Sequence, residues 1–203
     1  MIGIINYRAG NLQNLKNALD FLGADSEILD HPSQLAGHNK LILPGVGAFG
    51  PAMENLRSFG FVEVIKAEVA KGTPLLGICL GMQLLFTKSF EDGEHEGLGL
   101  IPGEVIRFTH QELKIPQTGW NHATFADPGD PLLKGVRPEP WFYFVHSYAC
   151  HPADPANQLG ETDYGDCFCS IAKRGKVYGV QFHPEKSQAD GLAILKNFID
   201  LVA

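Results

Sequence analysis

Residues 73–86 read Thr-Pro-Leu-Leu-Gly-Ile-Cys-Leu-Gly-Met-Gln-Leu-Leu-Phe, and the change of character at the centre of this stretch decides the fold. Pro74 to Ile78 is an apolar run of strand length. The run breaks at Cys79 into Gly81, and Met82, Leu84, Leu85 and Phe86 then resume as a helix, which puts the cysteine on the turn between strand and helix. Gly77 and Gly81 lie two residues to either side of it, the G-x-S-x-G spacing of a nucleophile elbow with sulfur in place of oxygen. Missing β-carbons there let a strained strand-to-helix turn pack tightly while the nucleophile projects from its apex. A helix starting beyond Leu80 directs N–H groups and positive partial charge at the sulfur, favouring thiolate, and the Leu80 amide can face a developing oxyanion. The plainer alternative is an inert core cysteine before an ordinary glycine turn; the paired glycines and the strand-helix switch favour catalysis.

Upstream of the elbow, strands and helices alternate. Ile2 to Tyr7 is predicted as a short strand, and Asn11 caps a helix whose Leu12, Leu15, Leu19 and Leu22 form one apolar stripe stopped by Gly23. Strands follow at Glu27 to Leu29 and at Lys40 to Leu43, the second running into Pro44-Gly45-Val46-Gly47, and a helix at Phe61 to Lys71 leads back to the elbow. Such alternation predicts an α/β fold with an open, mostly parallel sheet and helices on both faces, its sites lying beyond the carboxyl ends of the strands. Both the PGVG loop and Cys79 fall at such ends.

After Phe86 the pattern turns to short β-type runs, from Gly97 to Phe125 and from Trp141 to Val180, separated by Pro, Gly and Asp clusters. These are predicted as antiparallel additions to the parallel sheet. A last helix, Ala189 to Val202, carries Leu192, Leu195, Phe198, Ile199 and Val202 on one side. No repeat or linker interrupts the 203 residues, so one domain over 1–203 is expected.

Gly179-Val180-Gln181-Phe182-His183-Pro184-Glu185 reads as a strand ending in a histidine with a carboxylate two residues on. In extended chain those two side chains share a face, so Glu185 can orient the His183 ring, a base with its orienter. Taken alone the tripeptide is weak, and with eight histidines in the chain a histidine solvated at a strand end is the favoured reading of it.

Composition narrows the classes. A formal charge of -7 without a basic run argues against nucleic acid or an anionic membrane as partner. No apolar run approaches the ~20 residues of a membrane span, and the first residues lack the form of a signal peptide, so a cytoplasmic protein is expected. Cysteines 79, 150, 167 and 169 do not make a disulfide framework in a chain of this length. Cys167 and Cys169 share a strand face without a C-x-x-C pair, and packing accounts for them without a metal.

Gly-Ile-Cys-Leu-Gly-Met-Gln at 77–83, Gln-Phe-His-Pro-Glu at 181–185 and the upstream Pro-Gly-Val-Gly loop together resemble the class I glutamine amidotransferase family, whose motifs then span nearly the whole chain. Lys114 to Asn121 and Tyr143 to Tyr148 look like its members that serve imidazole glycerol phosphate synthase in histidine biosynthesis. Gln117-Thr118 departs from the His-Met that this resemblance leads one to expect there. The resemblance implies Cys79 as nucleophile, His183 as general acid and base, and Glu185 as orienter. It puts the oxyanion between the Leu80 and Val46 amides, and L-glutamine against Gln83, Gly47 and the backbone of Ser147 and Tyr148. Asn11, Asn14, Trp120, Tyr143 and Lys186 would face the partner, a synthase subunit of (β/α)8 barrel type in a heterodimer. No cofactor is implied. Plain core packing is the competing reading for Trp120, Tyr143 and Phe144. Two other functions stay open: service to a CTP, GMP or anthranilate synthase, or a related cysteine hydrolase. A regulatory subunit that keeps the fold without catalysis is disfavoured by the intact Cys79, His183 and Glu185.

Overall fold

The computed structural model describes residues 1–109 and 113–202; residues 110–112 of the expected β-rich stretch, and residue 203 of the expected domain, lie outside the described residues. The N-terminal half runs β1 (Ile2–Ile5), α1 (Leu12–Phe21), β2 (Ser26–Leu29), β3 (Lys40–Gly45), α2 (Phe49–Ser58), α3 (Phe61–Ala70), β4 (Leu75–Cys79) and α4 (Leu80–Leu84). The C-terminal half begins with β5 (Phe86–Ser89), β6 (His95–Glu96), β7 (Ile101–Arg107), β8 (Gln117–His122) and β9 (Thr124–Phe125). It continues with β10 (Trp141–His146), β11 (Tyr148–Pro152), β12 (Gln158–Tyr164), β13 (Asp166–Arg174), β14 (Val177–Val180) and α5 (Gln188–Asp200).

Strands β2, β1, β3, β4 and β14 lie side by side and parallel, and from β14 the same sheet continues antiparallel through β13, β11 and β7, with β5 and β6 beyond. Alternation along each parallel strand sends side chains to two cores. Ile42 of β3 joins Leu15 and Leu19 of α1 and Leu195 and Phe198 of α5, while its neighbours Leu41 and Leu43 join Met53, Phe61 and Ile65 from α2 and α3. Each such side chain, fully removed from water, contributes roughly 1.5–3 kcal/mol. Lys40, at the start of β3, donates to the carbonyls of Phe198 and Ile199, satisfying acceptors that the end of α5 leaves unpaired. The fold class is therefore the expected one. No helix among the described residues is long and apolar enough to cross a membrane.

Three local readings need correction. The helix after the elbow is a single short turn, α4, and Phe86 already belongs to β5. Helix α2 was not foreseen: it opens Phe-Gly-Pro with no side-chain cap, although Phe49, Ala52, Met53 and Leu56 form its buried stripe. The additions after Phe86 do not all join the parallel sheet, because β8 and β10 pair with each other in a separate two-stranded ribbon, and β5 pairs parallel with β7.

Candidate active site

The elbow owes its form to close backbone packing. A β-carbon at Gly81 would lie 1.8 Å from the Leu43 carbonyl oxygen of β3, and one at Gly77 would lie 2.6 Å from the carbonyl oxygen of Gly81. Both positions thus exclude any side chain, which lets α4 press onto the sheet. Cys79 is left at the apex with φ 55° and ψ −113°, a conformation costly for a non-glycine residue and held by the surrounding packing. Because α4 is so short, the partial charge it presents to the sulfur is less than a longer helix would supply.

Registry carries the other half of the site to the same edge. Cys79 lies opposite Gly45 of β3, and Ile78 opposite Val180 of β14, so the segments leaving these three strands converge. Strand β14 ends at Val180, and Phe182, fully buried, stacks on Phe142 of β10 with ring centroids 3.7 Å apart. The His183 N–H donates to the Tyr143 carbonyl at 2.9 Å, and the Ser187 hydroxyl donates to the His183 carbonyl while accepting the Tyr143 N–H. His183 Nδ1 then meets Glu185 Oε1 at 2.9 Å, both side chains buried. The extended i, i+2 geometry read from the sequence is not what joins them: Pro184–Lys186 is a 3-10 turn, and it is this turn that swings the carboxylate under the ring.

Electrostatics separates two histidines of this site. Burial disfavours the charged His183 ring, but Cys79 and Glu185 outweigh it and lift its pKa to about 10. Its Nε2 is buried on the side of the ring away from Glu185, and direct contact with the Cys79 sulfur raises the ring most, ahead of the Glu185 hydrogen bond and of the sulfur's charge. His146 goes the other way, lowered to about 4 by burial, with the charge of His183 adding to the fall and the Tyr148 carbonyl opposing it. Its Nδ1 lies 2.8 Å from that carbonyl, which can only accept, so Nδ1 carries the proton.

A pocket of about 260 Å³ opens over the sulfur, just below the ~300–1,000 Å³ of typical ligand sites and suited to an amino acid. Among the residues singled out from sequence, Val46, Gly47, Cys79, Leu80, Gln83, Ser147, Tyr148 and His183 all line it. Glu185 stands behind His183, sharing a small cleft with Asn11 and Val46. The remaining residues read as partner-facing lie outside the pocket. Trp120 and Tyr143, opposite each other on β8 and β10, pack edge to face at 6.1 Å, and the Lys186 ammonium sits 5.8 Å from the Tyr143 ring. Asn11 caps α1 by accepting the Asn14 N–H, and both side chains are exposed. Trp120, Trp141, Val145 and Val46 are large apolar side chains left open to solvent, Trp120 at 44% and Val46 at 45%. Phe144, by contrast, is fully buried, as the core reading of it required.

Of the lining residues not singled out from the sequence, two are ionisable, Glu91 and His146. Glu91 accepts the Phe49 N–H at the start of α2, and burial raises its pKa despite that bond. It stands in an Asp- and Glu-rich stretch that reads as a solvated loop. His146 belongs to a motif already quoted, but nothing in the pattern distinguished it from a core histidine. Cys150 and Cys169 are buried with raised pKa values and Cys167 is exposed; among the described residues no group of three His, Cys, Asp or Glu side chains is arranged to hold a metal.

Comparison with known proteins places the sequence and the fold. The family model "Glutamine amidotransferase class-I" matches residues 3–201. The imidazole glycerol phosphate synthase subunit HisH of Wolinella succinogenes is 49% identical, covering 99% of this chain and 100% of its own length. That of Moorella thermoacetica is 48% identical, covering 99% and 95%. Among solved structures, PurLQS from Thermotoga maritima superposes with a TM-score of 0.79 over 100% of this chain and 98% of that one, at 17% identity. A crystal structure titled as a glutamine amidotransferase gives 0.76 over 97% and 98%, at 21%. These two likenesses concern the fold. With a family model spanning almost every residue and relatives near half identical from end to end, the chain belongs to the class-I glutamine amidotransferase family, in the branch formed by the HisH subunits.

Proposed function

We infer that this chain, as one amidotransferase domain, hydrolyses the side-chain amide of L-glutamine and supplies the ammonia to a synthase subunit that makes imidazole glycerol phosphate in histidine biosynthesis. The observation that carries the chemistry is the convergence of a strained Cys79 with a buried His183–Glu185 pair over an amino-acid-sized pocket. Full-length kinship with HisH subunits favours this service over CTP, GMP or anthranilate synthesis.

The Cys79 sulfur attacks the amide carbon, and the carbonyl oxygen takes up the charge between the Leu80 and Val46 N–H groups. His183, held at about 10, already carries its second proton at neutral pH, so it enters as the acid that protonates the departing nitrogen. Acylation then neutralises the sulfur and removes one of the charges that held the ring's pKa up. The neutral imidazole can now take a proton from water as it attacks the thioester; the C–S bond breaks and the starting state returns. Glu185 steadies the ring throughout. At the other end of the substrate, both Gln83 N–H groups are committed to protein acceptors, which leaves its Oε1, with the Glu91 carboxylate, for the α-ammonium group. Backbone N–H groups of Gly47, Ser147 and Tyr148 would hold the α-carboxylate.

The array of exposed Trp120 and Lys186 about the half-buried Tyr143, with Asn11 and Asn14, would dock a (β/α)8 barrel synthase in a cytoplasmic heterodimer, to which ammonia passes directly. The test is a reconstituted complex carrying Cys79→Ser. It should lose glutamine-dependent synthesis yet make product from ammonium salts, and failure with ammonium would contradict this division of labour.

A further inference from the structure

The short α4 leaves open what else favours charge on the Cys79 sulfur, and a side chain from another strand answers it. Gln181, fully buried just beyond β14, has its main chain fixed by an N–H bond to the Ser170 carbonyl at 2.9 Å. Its Nε2 points at Cys79 Sγ from 3.8 Å, and its Oε1 accepts the Gln83 Nε2 at 3.2 Å. Gln83 Nε2 also donates to the Tyr148 carbonyl at 3.1 Å.

The direction of these bonds is not free. A backbone carbonyl can only accept, so Gln83 must turn its NH2 toward Tyr148, and its second N–H then falls on Gln181. Gln181 is obliged to answer with its oxygen, which leaves its NH2 for the sulfur. His146 donates to the same carbonyl at 2.8 Å and helps to fix it in place. One main-chain oxygen thereby sets the polarity of two amides and aims a donor at the reacting atom.

We propose that Gln181 is a further catalytic residue, whose amide N–H stabilises negative charge on Cys79 Sγ through an orientation imposed by Tyr148 and Gln83. A hydrogen bond to the sulfur is stronger when the sulfur is charged, so the donor favours the thiolate as nucleophile and again as leaving group when the thioester is hydrolysed. Both steps profit from one contact. The proposal rests on Cys79 being the nucleophile, and its test needs neither glutamine nor a partner.

The experiment is the pH dependence of iodoacetamide alkylation of Cys79, which lines the pocket, in the whole chain, resolved by peptide mass spectrometry because Cys167 is exposed. In Gln181→Met, which keeps length but has no donor, alkylation at neutral pH should slow by about tenfold or more, with the profile moved to higher pH. Gln181→Glu keeps the acceptor for Gln83 and turns only the sulfur-facing N–H into an oxygen. It should slow alkylation at least as much, and it decides the matter if the methionine variant does not fold. Gln83→Met, which frees the Gln181 amide to turn over, should move the profile in the same direction by less. An unshifted profile in the folded Gln181 variants would overturn the proposal, since a merely structural amide would change stability and not the titration of the sulfur. A parent protein whose Cys79 reacts no faster than Cys167 would instead overturn the reading of Cys79 as nucleophile, and this proposal with it.

Discussion

Two regions of the molecule each deliver a buried histidine to one pocket, and they drive the two rings apart. His183 comes from the edge of the parallel sheet, backed by Glu185 and facing the sulfur, and titrates at about 10. His146 comes from the end of β10, among the rings of Phe108, Phe144 and Phe168 with centroids 5.1–5.7 Å away, and titrates at about 4. Burial pushes both imidazolium forms down equally in kind; only one ring has counter-charges that overturn it. Burial of a histidine therefore says nothing about its task until its partners are known. In the proposed mechanism His183 holds and releases a proton, while His146 stays neutral and pins a carbonyl.

The contrast breaks first on rate. His183→Ala should reduce glutaminase turnover by ~10²–10⁴, the usual worth of a positioned acid-base group. His146→Asn, which retains a donor for the Tyr148 carbonyl, should cost far less, and the reverse ranking would invalidate the assignment. Glu185→Gln should fall between them, with an effect strongly non-additive with His183→Ala.

A smaller loss is expected at the oxyanion loop. Gly47 has φ 105° with nothing near its missing β-carbon, so Gly47→Ala meets strain alone and no collision. Displacing the Val46 N–H should cost ~10²–10³, about 3–4 kcal/mol, the worth of one oxyanion donor. The glycines flanking Val46 also permit its peptide to rotate, so the isolated chain should be a poor glutaminase that its synthase partner activates by a similar factor. Equal turnover with and without the partner would remove that switch.

Stability against pH sharpens the comparison further. An unfolded His146 takes its proton near 6.5 and the folded one only near 4, so between these values the unfolded chain binds more protons. Stability should fall by about 3 kcal/mol as pH drops through that window, and His146→Phe should flatten this limb in denaturant titrations. His183 has the opposite sign: its contribution is complete below 6.5 and is lost as pH rises through about 10. Least of all, Trp120→Ala should leave basal turnover alone and weaken partner binding by ~1–2 kcal/mol, read by titration calorimetry.

Legibility in the sequence followed the range of the interactions. The elbow was readable because its apolar run, its paired glycines and its cysteine are neighbours, and Gly77 has a local reason to be glycine in the nearby Gly81 carbonyl, although the reason for Gly81 lies on β3. Helix α2 escaped notice because its N-cap, Ala48, has no capping side chain and Glu91 caps it from far away in sequence, and α4 was read too long because Leu84 to Phe86 remain apolar through the change to strand. The His183–Glu185 pairing was foreseen with the wrong backbone, since a proline fits a 3-10 turn as well as an extended segment. What no local pattern could disclose is the work of Glu91 and Gln181, whose partners Phe49, Gln83 and Cys79 lie far away in sequence.

The most direct measurement of the central claim is acid quenching of the reconstituted complex during turnover on labelled glutamine, followed by peptide mass spectrometry. The expected result is a γ-glutamyl thioester confined to the peptide carrying Cys79, absent from Cys79→Ser together with glutamine hydrolysis. An adduct on another residue, or undiminished hydrolysis by Cys79→Ser, would contradict it.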